Sequence, residues 1–163
     1  MDFNFNADEI LAMAERIERN GANFYRKAAE NDDTPENKQF LITLAKMEEN
    51  HERSFAEMRD ALSANEVKPT IFDPENEVGA YLTAMADGNV FDNQVDPVDF
   101  VEGKTIEEVL NYAIGLEKDS IVFYMGLKKL VPDQSGKDKV EAIIEEEMRH
   151  ISILNNQLKS LAK

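Results

Sequence analysis

The sequence predicts an all-α protein: a four-helix bundle built from two antiparallel hairpins joined by one long crossover. Three observations carry that reading. Apolar residues recur at spacings of three and four in four separate segments, as on the inner face of a bundle helix. The first two segments map onto the last two at a constant offset of 99 residues. Between the pairs lie 41 residues that hold Pro69, Pro74, Pro97 and three glycines, a composition that interrupts helices.

The first helix is expected over 6–31, with Leu11, Ala14, Glu18, Gly21, Tyr25 and Ala28 facing inward. Asn6 followed by Glu9 forms a capping box at its start, and Thr105 followed by Glu108 does the same for the third helix. The second helix, 35–63, begins with Thr34 as N-cap and Pro35 at the first helical position, where proline's missing N–H costs nothing. Its inner face reads Leu41, Leu44, Glu48, His51, Phe55, Met58, Leu62. The third helix, 105–131, presents Leu110, Ala113, Glu117, Ser120, Tyr124, Leu127 and Val131. The fourth, 136–161 with Ser135 as its cap, presents Val140, Ile143, Glu147, His150, Leu154, Gln157 and Leu161. Short links after the first and third helices make each pair a hairpin. A helix of this length spans roughly 39 Å at 1.5 Å per residue. The 64–104 connection is long enough to run back along it, and residues 77–86 (EVGAYLTAMA) are expected to form a short amphipathic helix within it.

The 163 residues suit a single domain, 1–163. A formal charge of −15 disfavours nucleic acid and anionic membranes as partners, because both require basic patches. The absence of cysteine excludes disulfides, thiolate nucleophiles, iron–sulfur clusters and Cys-ligated metals from these residues. The start, MDFNFNADEI, lacks a basic region followed by an apolar one, so a cytoplasmic protein without membrane association is expected.

The 99-residue offset pairs Glu18 with Glu117, Phe24 with Phe123, Tyr25 with Tyr124, Glu48 with Glu147 and His51 with His150. Identities concentrate on the inward seam, which points to two similar hairpins around a shared internal site. Within each hairpin the two glutamates stand 30 residues apart with the midpoint in the turn, so they lie level on adjacent helices. Each histidine follows its glutamate by three residues and shares its helix face. Four carboxylates converging in an apolar seam would each cost several kcal/mol of desolvation and would repel one another. Neither lysine nor arginine stands on the seam to pair with them. Two divalent cations would balance the charge, held by Glu18, Glu48, His51, Glu117, Glu147 and His150. A Glu on two helices and Glu-x-x-His on two others is the di-iron and di-manganese bundle pattern. Both histidines of the chain sit in that motif. Carboxylate and imidazole without thiolate suit iron or manganese and admit zinc.

Tyr25 and Tyr124 follow Glu18 and Glu117 by seven residues on the same face. Their hydroxyls either orient a carboxylate from a neighbouring helix, a supporting catalytic role, or serve as ordinary core aromatics. Gly21 and Ser120 either leave room for a small molecule beside the metals or let helices approach closely.

These residues resemble the rubrerythrin branch of the ferritin-like superfamily, through Glu18 with Tyr25, Glu48-x-x-His51, Glu117 with Tyr124, and Glu147-x-x-His150. The resemblance spans all four helices. It implies a centre of two iron ions that reduces hydrogen peroxide or dioxygen in oxidative-stress defence, within a homodimer. The chain has no cysteine for a rubredoxin iron, so electrons are expected from an external donor protein such as a rubredoxin. Rubrerythrins usually add a glutamate three residues after the third-helix ligand, and Ser120 stands there. The six-ligand set is thereby closer to ferritins and bacterioferritins. A ferritin-type ferroxidase and a non-enzymatic metal-binding or regulatory bundle are the alternatives.

Overall fold

The computed structural model describes residues 6–62, 77, 80–82 and 97–163. Four long helices form the bundle: α1 (Ala7–Asn31), α2 (Pro35–Asp60), α4 (Ile106–Leu130) and α5 (Gln134–Leu161), with a short α3 (Pro97–Val101) before α4. α1 packs along α2 and α4 along α5, and the hairpins meet through α1–α4 and α2–α5. The fold is all-α, with two packed hairpins and a long connection between them. The 99-residue offset reappears in the element starts, since α1 and α4 begin at 7 and 106 and α2 and α5 at 35 and 134.

Both capping boxes form. The Glu9 and Glu108 N–H groups donate to Asn6 Oδ1 (2.8 Å) and Thr105 Oγ1 (3.2 Å), and each glutamate accepts in return. The other two starts differ from expectation. Thr34 occupies the N-cap position of α2, but its side chain makes no capping bond. Asp32 organises that turn instead, accepting from the Thr34 N–H at 2.7 Å and from Asn37 Nδ2 at 3.2 Å. α5 begins at Gln134, two residues earlier than expected, because Asp133 and not Ser135 is its cap, with Oδ1 accepting from the Gly136 N–H at 2.7 Å. A carboxylate is the stronger acceptor and suits the positive end of the helix dipole. α2 ends at Asp60, before the expected 63, as Leu62 N–H turns back to Arg59 in a tighter last turn. Pro97, expected to break structure, opens α3 from the position where proline is tolerated.

Two apolar clusters fill the interior, one towards each end. Ile10, Leu11, Phe55, Phe123, Leu127 and Val140 belong to the first; Phe24, Leu41, Leu44, Leu110, Ala113 and Leu154 belong to the second. Leu11 and Leu110 are repeat partners in opposite clusters, as are Phe24 and Phe123. The pseudo-two-fold axis therefore crosses the bundle at the polar layer between them. Surface pairs such as Arg19–Glu52 (2.6 Å) and Arg59–Asp8 (2.6 Å) join α1 to α2. Exposed pairs of this kind contribute about 0–1 kcal/mol each.

Of the expected 77–86 helix, residues 77 and 80–82 are helical and the rest lies outside the described residues. Leu82 is fully buried in the first cluster, and the Tyr81 hydroxyl donates to the Val122 carbonyl. Gly126 makes that seat: a Cβ there would lie 2.7 Å from Tyr81 Cε1. Gly115, on the same helix, has nothing within 4 Å of such an atom. Gly115→Ala should stabilise by about 0.8–1 kcal/mol through helix propensity. Gly126→Ala should cancel that gain and destabilise by about 1 kcal/mol through overpacking. Urea denaturation of the two variants would expose the opposite signs.

Candidate metal centre

Glu18, Glu48, His51, Glu117, Glu147 and His150, one or two from each long helix, meet at mid-bundle and are all buried. Helical rise explains the meeting, because residues level across each hairpin also lie level across the dyad. His51 Nδ1 is 2.9 Å from Glu147 Oε1 and 3.5 Å from Glu18 Oε2. His150 Nδ1 repeats this at 3.1 Å from Glu48 Oε1 and 3.6 Å from Glu117 Oε1. The imidazoles lie nearly parallel, at 18°, with centroids 5.5 Å apart.

These separations are short, yet the atoms do not aim at one another. Glu18 Oε2, Glu48 Oε1, both Glu147 oxygens and both histidine Nδ1 atoms are buried without hydrogen-bond geometry to any partner. Buried polar atoms normally find partners, and leaving so many without is costly. Their shared property is convergence. Glu18, Glu48, His51 and Glu147 form one group and Glu48, Glu117, Glu147 and His150 a second, with each group's donor atoms within 4.8 Å of one another. Glu48 and Glu147 belong to both groups. Four hard oxygens and two imidazole nitrogens in two overlapping groups fit a pair of iron ions.

Residues 6–160 match the ferritin-like domain family. The chain belongs to that family. Among solved structures it is similar to a Thermotoga maritima protein described as a ferritin-like diiron-carboxylate protein. The two share 27% identity over 95% of each chain, with a TM-score of 0.74. None of the curated proteins matches it.

The tyrosines of this ferritin-like centre cross the dyad. Tyr25 on α1 donates to Glu117 Oε1 on α4, and Tyr124 on α4 donates to Glu18 Oε1 on α1. Each hydroxyl thus reaches a carboxylate on a neighbouring helix. Gly21 and Ser120 line a cavity of about 10 Å³ together with Tyr25, Glu48, Leu116 and Glu117, room for one water-sized molecule. Apart from Glu48 its lining comes from α1 and α4, and neither histidine is part of it.

Without metal the buried charge is resolved by protons. Burial, reinforced by the charge of Glu147, raises Glu18 and Glu117, the latter to about 8; burial and the charges of Glu117 and Glu147 raise Glu48 as well. Burial alone would lower His51, but Glu147 and Glu18 lift it to about 12. His150 rises likewise against burial, beside Glu117, Glu147 and Glu48. Glu147 goes the other way: burial pushes it up, and contact with both histidines overrules this and takes it down to about 2.

One contact of the centre escaped the sequence reading. His51 Nε2, the nitrogen facing away from the centre, lies 2.6 Å from Glu146 Oε2 on α5. Glu146 stands one position off the seam, so helical periodicity assigns it to the surface, and its side chain is indeed 42% exposed.

Proposed function

We propose that the chain is a non-haem di-iron oxidoreductase that reduces hydrogen peroxide or dioxygen with electrons from an external donor. The observation that carries this reading is the small cavity against Glu48 and Glu117, because a purely structural metal pair has no need of space for a small molecule beside it. When bound, the iron pair supplies two electrons per turnover, the number that converts peroxide to two waters with uptake of two protons. Glu48 and Glu147 would contact both ions, Glu18 and His51 one of them, and Glu117 and His150 the other. Tyr25 and Tyr124 hold one oxygen each of Glu117 and Glu18, which fixes the direction of the remaining oxygen. The clusters above and below exclude bulk water.

Ser120 favours a second reading. It puts a neutral side chain at the cavity wall and leaves the six-residue set of a ferritin-type ferroxidase, which would oxidise Fe(II) for storage or delivery. Stopped-flow oxidation of the Fe(II)-loaded protein separates the two. The expected result is stoichiometric oxidation by peroxide, faster than by dioxygen. Faster reaction with dioxygen and continued turnover of added Fe(II) into a mineral would move the assignment to the ferroxidase. Inertness to both would leave a metal-binding or regulatory bundle.

A further inference from the structure

The two hairpins repeat each other at the centre, and they part at the outer nitrogen of each histidine. His51 Nε2 meets Glu146, whereas His150 Nε2 is buried with no hydrogen-bond partner among the described residues. The repeat explains the difference, since the position equivalent to Glu146 in the first hairpin is Met47. Thioether sulfur is a weak acceptor and cannot replace a carboxylate.

In both histidines Nδ1 faces the carboxylates and Nε2 faces away. A metal at Nδ1 requires that nitrogen's lone pair, so the ring proton must reside on Nε2. For His51 that proton is donated to Glu146, which fixes tautomer and ring orientation and makes the imidazole a better electron donor. Arg149 Nη2, 3.6 Å from the other Glu146 oxygen, steadies the carboxylate from outside. For His150 the same proton would point into a buried space with no acceptor, a cost that lowers its worth as a ligand. The wall of the cavity holds Glu48, which both groups share, and Glu117 of the His150 group, but neither histidine.

From this we infer that Glu146 is a positioning residue that makes the two metal positions unequal: the His51 position holds its ion tightly, and the His150 position holds its ion weakly. The inference rests on the di-metal reading above and adds an order of filling to it.

Anaerobic titration of the metal-free protein with Co(II), followed by calorimetry and by visible absorption, tests it. Two binding steps differing at least tenfold are expected. His51→Ala should abolish the tighter step, and His150→Ala the weaker. Glu146→Met should weaken the tighter step by about 10–100-fold and leave the other in place, and Glu146→Gln, which keeps an acceptor, should weaken it less. Met47→Glu should strengthen the weaker step. Two equal steps, loss of the tighter step in His150→Ala, or an unaltered tighter step in Glu146→Met would each overturn the inference while leaving the di-metal site intact. Failure of the unaltered chain to take up Co(II) at all would instead overturn the metal site itself. Far-ultraviolet circular dichroism of each metal-free variant separates lost ligation from lost folding.

Discussion

The unaltered protein should bind two metal ions per chain, and a Glu48→Ala, Glu147→Ala double variant should bind almost none. These two carboxylates are the members common to both ligand-capable groups, so removing them leaves each group with one carboxylate and one histidine. Two ligands do not hold a divalent ion against water. Glu18→Ala and Glu117→Ala, by contrast, should each leave one position nearly intact. Elemental analysis after loading and desalting would give the ratios directly. Two ions retained by the double variant would mean that the convergent side chains are not the metal site.

The second large effect is on stability. In the metal-free protein Glu117 titrates at about 8 in place of the ordinary 4.5, and Glu18 and Glu48 are raised in the same direction. Between those values the folded chain holds protons that the unfolded chain has lost, so stability falls as pH rises from about 4.5 towards 8. His51, raised from 6.5 to about 12, extends the decline into the alkaline range. Glu147 acts in the opposite sense, since its depressed value adds stability as pH rises from about 2 to 4.5. The metal-free bundle should therefore be most stable near pH 4.5 and melt progressively earlier above it. At this chain length each kcal/mol lost moves the midpoint by roughly 2–4 °C. Metal competes with those same protons, so the interval between loaded and metal-free melting temperatures should widen with pH. Calorimetric scans at acidic, neutral and alkaline pH would check both slopes. A metal-free protein melting at one temperature throughout would contradict convergence of the carboxylates.

The residues that could be read from the sequence were those governed by a single helix at a time. Period, caps and the spacing of Glu18 from Glu48 depend on rise per residue, which is nearly constant. That constancy carries the six polar residues to one level whatever the details of packing. Helix ends depend on competition between neighbouring acceptors, and there Asp133 prevailed over Ser135, while the Thr34 side chain caps nothing and Asp32 accepts from the Thr34 N–H. Glu146 depended on something no single helix encodes: how α5 is rotated against α2, which decides whether a residue one step off the seam reaches across to His51. The tyrosines stood between these cases. Their face was legible, but the choice of partner across the dyad was fixed only by the approach of α1 to α4.

The repeat itself constrains what such a centre can become. Two separate copies of one hairpin, paired as a symmetric dimer, would present every residue twice, so any change at one histidine would be imposed on the other. Joining the copies into one chain lifts that restriction. Position 47 can become methionine while position 146 is glutamate, and Gly21 can face Ser120, without either choice being mirrored. The connection from α2 to α4 thus does more than tether two halves: it lets a symmetric scaffold carry an asymmetric pair of sites.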